Sequence, residues 1–169
     1  LLYPNGRIQH AGLVGGGNWV AGHSALGSEK DTFDYFSYHQ TTHEALGVTG
    51  ACLMIAKLKF FEVGSLEDFF VPNGFGDVDL CLKLKNKGYC NVYVPHAELI
   101  HKESVTRKQS FELFEKYFMI QKWAKDLLHD PYRHIAFEMG NYFMVENGFR
   151  VQEPSRELFQ DLMNKPHGI

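Results

Sequence analysis

The sequence predicts an α/β or α+β domain, on three observations. Short extended runs dominate its first half, helix-period apolar patterns with dipole-matched ends occupy its second, and no repeat or low-complexity linker separates them. A chain of 169 residues, 44% hydrophobic and 14% aromatic, can bury one core, so it reads as one domain or a large part of one. Strands mixed with helices over a single core do not by themselves set the topology.

The first run, LLY, is joined to RIQHAG through Pro4-Asn5-Gly6, where Asn-Gly supplies the positive φ angles of a tight hairpin. AGLVGGGNWVAGHSALG follows and reads as a mobile surface loop, since it matches neither a P-loop nor a dinucleotide fingerprint. The aromatic and polar stretch DTFDYFSYHQTTHEA suits a groove wall as well as a core. VTGACLMIA, residues 48–56, reads as a buried strand, and KLKFFEVG as a short helix ending near Gly64.

DVDLCLKLKNKG places Val78, Cys81 and Leu82 at helical spacing, with acid at its start, lysines in its second half and Gly88 at the expected left-handed stop. NVYVP and AELIH read as extended segments separated by Pro95. From Lys108 to Leu128 an amphipathic helix directs Phe111, Phe114, Phe118 and Trp123 towards a core. The remaining tail reads as helical in pieces.

Several function classes are disfavoured. The formal charge of −3 is spread over mixed-sign segments with no basic block, which argues against nucleic acid as a partner. No apolar run is long enough for a transmembrane segment. Cys52, Cys81 and Cys90 are odd in number and lack C-x-x-C spacing, so they read as small core residues of a reduced, cytoplasmic protein. The sequence opens on Leu1 within an apparent strand, as though cut from something longer.

The stretch GFGDVDLCLKL carries the chemistry. Successive helical side chains turn by roughly 100°, so Asp77 and Asp79 project from nearly opposite sides and do not readily hold one ion. Either could simply favour the helix N-terminus through its charge. Asp77, however, follows the Gly/Pro/aromatic loop FVPNGFG, a junction of the kind at which sites are built.

In order and spacing, VTGAC, the phenylalanine-rich turn, DVDLC at a helix start, GY at its end, PHAELIH and ESVTR resemble the C-terminal half of the glycosyltransferase family 2 catalytic domain, of rhamnosyltransferase-like, GT-A-fold enzymes. The resemblance runs from YPNGRIQHAG to KWAKDLLHDPY, most of the chain. It implies a partial GT-A-type α/β fold, a mixed sheet flanked by helices, without the N-terminal nucleotide-binding half. Residues 1–169 would then be one partial domain, with a C-terminal helical segment from about residue 108.

What the resemblance implies about function is an inverting sugar transfer from a nucleotide-sugar donor to a glycan or lipid-linked acceptor in polysaccharide biosynthesis. By position Asp77 takes the role of general base on the acceptor hydroxyl, and Asp79 is structural. Thr49, Gly50 and Phe75 fall on the acceptor side; Ser104, Thr106 and Arg107 fall near the donor diphosphate. His101 matches a histidine that sits by that diphosphate or completes the shell of a divalent metal (Mg or Mn), though it reads equally as the end of an edge strand. The parent protein would be cytoplasmic, or membrane-associated through its other parts. The fragment alone would be inactive and would self-associate as a homo-oligomer to cover its open edge and apolar surface. Gly76 stands where the family carries Glu or Asn, which favours the alternative of a non-catalytic carbohydrate-binding or assembly module. The other histidines, His10, His23 and His43 among them, show no ligand-like spacing.

Overall fold

The computed structural model describes residues 1–16, 20–32, 35–102 and 113–132. The readings that fall on Ser104, Thr106, Arg107, Phe111 and the tail beyond residue 132 lie outside the described residues.

Its first residues close on themselves. The Gly6 amide donates to the Tyr3 carbonyl, Tyr3 donates to Arg7, and Leu2 bridges Ile8 antiparallel, as expected of a hairpin. Only Gly6 adopts positive φ, at +81°; the Asn5 side chain instead accepts from the Arg7 amide at 3.1 Å and so stabilises the turn from outside. Leu2 also pairs in parallel with Ile100, so the AELIH segment is extended where it meets the N-terminus.

On either side of residues 17–19, which lie outside the described residues, the glycine-rich stretch forms strand and not surface loop. β1 (Leu13–Gly15) pairs antiparallel with β2 (Ala21–His23), and Leu13, Val14 and Gly15 are all buried. A Cβ on Gly15 would stand 2.3 Å from the Leu127 carbonyl oxygen, so glycine here permits the strand to lie against the helix that ends at Leu128. β3 (His43–Ala45) pairs antiparallel with β4 (Asn91–Tyr93), and a single bridge from Leu13 to Gly47 joins the two ladders. The result is a mixed α/β fold with two small antiparallel sheets rather than one continuous sheet among the described residues.

Residues 48–56 do not form a strand. They run as a 3-10 turn at Gly50–Cys52 followed by extended chain, and Met54 is 99% exposed. The apolar run misleads because the chain here turns over the helix that starts at Gly76 instead of entering a sheet. α1 (Lys57–Glu62) and α2 (Gly76–Asn86) match expectation and are followed by Gly64 and Gly88, both left-handed. Val78, Cys81 and Leu82 are buried as the spacing required.

α3 (Leu113–Leu128) buries Trp123 as expected but not Phe114. Glu115, Met119, Trp123 and Leu127, four residues apart, face inwards, while Phe114 is exposed and Phe118 only half-buried. Phe118 packs against the edge of the core and stacks face to face on Phe70 at 4.6 Å. Cys81 is buried, Cys52 half-buried and Cys90 exposed, so only Cys81 behaves as a core cysteine, its thiol pushed up to about 12 by burial. No helix among the described residues is long and apolar enough to cross a membrane.

Asp79 docks α3 onto α2. Its fully buried carboxylate accepts from Lys122 Nζ and Trp123 Nε1, each at 2.8 Å, and lies 2.8 Å from Lys83 Nζ one turn along its own helix. Burial pushes this carboxyl up, but the two lysines and the indole outweigh that and hold it below its ordinary value of 3.8. Its stabilisation is therefore fully present above pH 3.8 and is lost as the pH falls below that. Asp79→Ala is expected to cost about 2–3 kcal/mol, less than a fully buried pair because both lysines reach water. Thermal unfolding checks this: Tm should drop by roughly 4–12 °C at neutral pH, and the gap to wild type should narrow in acid.

Candidate active site at the start of the second helix

Asp77 stands at the first turn of α2, where the loop 71–75 enters the helix. Two features fix that entry. Phe75 adopts φ +56°, turning the chain sharply, with its ring in the core among Val71, Val78 and Trp123. The Glu115 carboxylate, fully buried, reaches back from α3 and accepts from the Asn73 and Gly74 amides at 3.0 and 2.9 Å. These charge-assisted bonds satisfy two loop amides that would otherwise lie unpaired near the core.

The two aspartates then diverge as a helix demands. Asp79 is enclosed against Lys122, Lys83 and Trp123. Asp77 is half-buried, and its Oδ2 accepts from the Gly50 amide at 2.8 Å while Oδ1 accepts from its own neighbour Val78 at 2.9 Å. Each oxygen keeps a further lone pair for another donor.

Gly50 reaches Asp77 because the preceding segment lies directly on α2. A Cβ on Gly47 would stand 2.8 Å from that of Cys81, so the strand end passes closer to the helix than any other residue allows. The Val48 amide and carbonyl then flank the Cys81 sulfur at 3.5 and 3.7 Å, and Asn91 bonds both the Leu46 and Cys81 carbonyls at 3.0 Å. Thr49 is buried, and its amide donates to His10 Nε2 at 3.1 Å.

His10 is 3% exposed, and the same Nε2 accepts from the Gly12 amide at 3.2 Å. A nitrogen that accepts twice carries no proton, so the imidazole is neutral. Burial, then the neighbouring His23 and the Leu1 amino group, hold its pKa well below the ordinary 6.5. The adjacent Gln9, equally buried, places its side-chain oxygen 3.0 Å from His101 Nδ1. Successive side chains of one segment thus anchor both Thr49 and His101.

Of the residues singled out by sequence, the structure brings Thr49, Gly50 and Asp77 together. Phe75, two residues before Asp77, is buried in the core, so its ring supports the helix start and does not face a ligand. His101 is half-buried and held through Gln9. Among the described residues no group of three or more His, Cys, Asp or Glu could hold a metal ion, so His101 has no companions there for a metal shell. A cavity of about 310 Å3 lined by Leu2, Lys30, His39, Tyr93 and Glu98 shares only His10 with the Asp77 group.

Sequence reasoning missed Glu115, Gln9 and His10. Glu115 had a signal, an acid in register with the apolar residues 119, 123 and 127. A lone histidine bonded only to backbone amides leaves no spacing to read.

No family model and no solved structure matches the chain. Among curated proteins it is 39% identical over 138 residues to Uncharacterized protein y4gI of Sinorhizobium fredii, covering 78% of this chain and 15% of that protein. It is 34% identical over 109 residues to O-antigen biosynthesis protein RfbC of Myxococcus xanthus, covering 64% of this chain and 8% of that protein. The chain therefore spans a small part of the relatives it matches.

The geometry at Gly50 makes a sharp expectation. A Cβ there would meet the Asp77 Cβ at 3.4 Å, an ordinary contact, so Gly50→Ala should leave Tm within a few degrees. Gly50→Val should crowd the carboxylate, and the residue 50 amide should exchange with solvent about tenfold faster in hydrogen-exchange NMR. Equal exchange in both variants would mean that the Asp77 contact does not hold this turn.

Proposed function

We propose that this chain is the acceptor-side, base-bearing part of an inverting glycosyltransferase of family 2, with a GT-A fold, that moves a sugar from a nucleotide-sugar to a glycan or lipid-linked acceptor in polysaccharide biosynthesis. The observation that carries the reading is the division of labour between the two aspartates. Asp79 is consumed by Lys83, Lys122 and Trp123, whereas Asp77 is fixed by a backbone amide at a loop-to-helix junction with lone pairs to spare. Similarity to a protein named for O-antigen biosynthesis supports the polysaccharide setting.

In this reading an acceptor hydroxyl donates to an Asp77 oxygen. As the hydroxyl oxygen bonds to the anomeric carbon, its proton passes to the carboxylate, and the nucleoside diphosphate leaves from the opposite face with the bonding electrons. A base so placed contributes roughly 10²–10⁴ in rate without an unusual pKa. Gly50 keeps the neighbouring backbone free of side chain, and the proximity of its amide orients the carboxylate before the acceptor arrives.

Ser104, Thr106 and Arg107 are proposed to meet the donor diphosphate, whose oxygens suit hydroxyl donors and the planar fork of a guanidinium. A divalent ion would offset diphosphate charge, with His101 as one ligand. The described residues offer it no further set of ligands. The nucleotide-binding half is assigned to another part of a longer, cytoplasmic protein.

The test is transfer by the longer protein across a panel of nucleotide-sugars. Asp77→Asn, which keeps an oxygen for the Gly50 amide, should lower turnover at least about a hundredfold while donor affinity stays within a few-fold. Unchanged turnover removes Asp77 from the chemistry. Glycan binding without transfer or donor hydrolysis in the wild type identifies a non-catalytic carbohydrate-binding module instead.

A further inference from the structure

We propose that His10 is a positioning residue: as a neutral acceptor on the Thr49 amide it holds the Thr49–Gly50 turn, and through that turn it holds the Asp77 carboxylate in place. The catalytic meaning of this rests on the reading of Asp77 as the base; the coupling itself rests on geometry alone.

Two consecutive amides of one short turn are gripped from two sides. Thr49 N–H points to His10 Nε2 at 3.1 Å, and Gly50 N–H points to Asp77 Oδ2 at 2.8 Å. The peptide between them is therefore restrained at both ends, and rotating either amide away disturbs the other. The clamp depends on the state of the ring. Nε2 accepts from Thr49 and Gly12 together, so the one ring proton of neutral His10 sits on Nδ1, which is buried and meets no hydrogen-bond partner among the described residues. Protonating Nε2 would set an N–H against two amide donors and release both.

The groups that act on the ring favour the neutral form. His23, on β2, stands edge to face at 4.9 Å, and the Leu1 amino group donates to the His10 carbonyl at 3.1 Å. Lys30, Asp31, His39, His96 and Glu98 line the cavity that the ring borders, and Lys30 and Glu98 neutralise one another at 2.6 Å. A histidine whose folded pKa is lowered keeps its contribution above the ordinary histidine range and loses it as the pH falls below 6.5. The turn, and with it the Asp77 carboxylate, should loosen only where the folded ring itself takes a proton, well below the ordinary 6.5.

The experiment is NMR on the labelled 169-residue chain. Ring nitrogen shifts should show His10 neutral, protonated on Nδ1, throughout the range in which exposed histidines titrate. His10→Phe fills the ring volume without an acceptor and should speed exchange of the Thr49 and Gly50 amides about tenfold or more, with a shift of the Asp77 carboxyl carbon. His10→Gln, whose side-chain oxygen reaches the place of Nε2, should restore most of the protection. A folded His10→Phe variant with unchanged Gly50 exchange and Asp77 shift would show that the ring only packs. Should that variant fail to fold, the wild type still decides, since a ring that titrates like an exposed histidine or carries its proton on Nε2 overturns the proposal. None of these readouts needs a sugar or the longer protein, so they fail separately from the reading of Asp77 as base.

Discussion

The buried carboxylate of Asp79 is the constraint on which the rest of this structure depends. It sits where α2 and α3 cross, takes an indole and two ammonium groups as partners, and leaves none of its charge exposed to the core. Removing it would strand those donors against an apolar interface. Because residues two apart on a helix face nearly opposite ways, burying Asp79 against α3 turns Asp77 outwards, towards the Thr49–Gly50 turn. A packing requirement thereby sets the direction of the group that the proposed chemistry uses.

A second buried acid completes the frame. Glu115 ties the loop ahead of α2 to α3 through two backbone amides, so the helix start is held to α3 at the loop as well as at Asp79. On the other side Gln9 and His10, neighbours in one short segment, hold His101 and Thr49. The candidate site is in this sense built from backbone amides held by buried side chains, with Asp77 the member of the group that retains acceptor capacity at the surface.

What the sequence disclosed was whatever local rules determine. Acid at the start of α2, lysines in its second half and a left-handed glycine beyond its end gave that helix with its buried face, and the 100° rotation separated the two aspartates. Tertiary contacts decided the rest. Leu13–Gly15 looked like loop because glycines disfavour strands, yet Gly15 is there to admit the Leu127 carbonyl. Residues 48–56 looked like a strand because they are apolar, yet Gly47 brings the chain against Cys81 and turns it along α2. Phe114 fits an aromatic stripe in sequence and is exposed, because α3 gives its inner face to Glu115 and the residues four apart from it. His10 carries no signature, since its partners are amides that every residue possesses.

The central claim, a carboxylate that deprotonates the acceptor for direct displacement, is tested most directly by the anomeric configuration of the product. In the proposed reading, the longer protein supplied with a nucleotide-sugar donor and an acceptor glycan should give a glycosidic linkage inverted relative to the donor, read from the anomeric proton coupling by NMR. Retained configuration would require a covalent or front-face route in which Asp77 does not act as described, and would contradict the account.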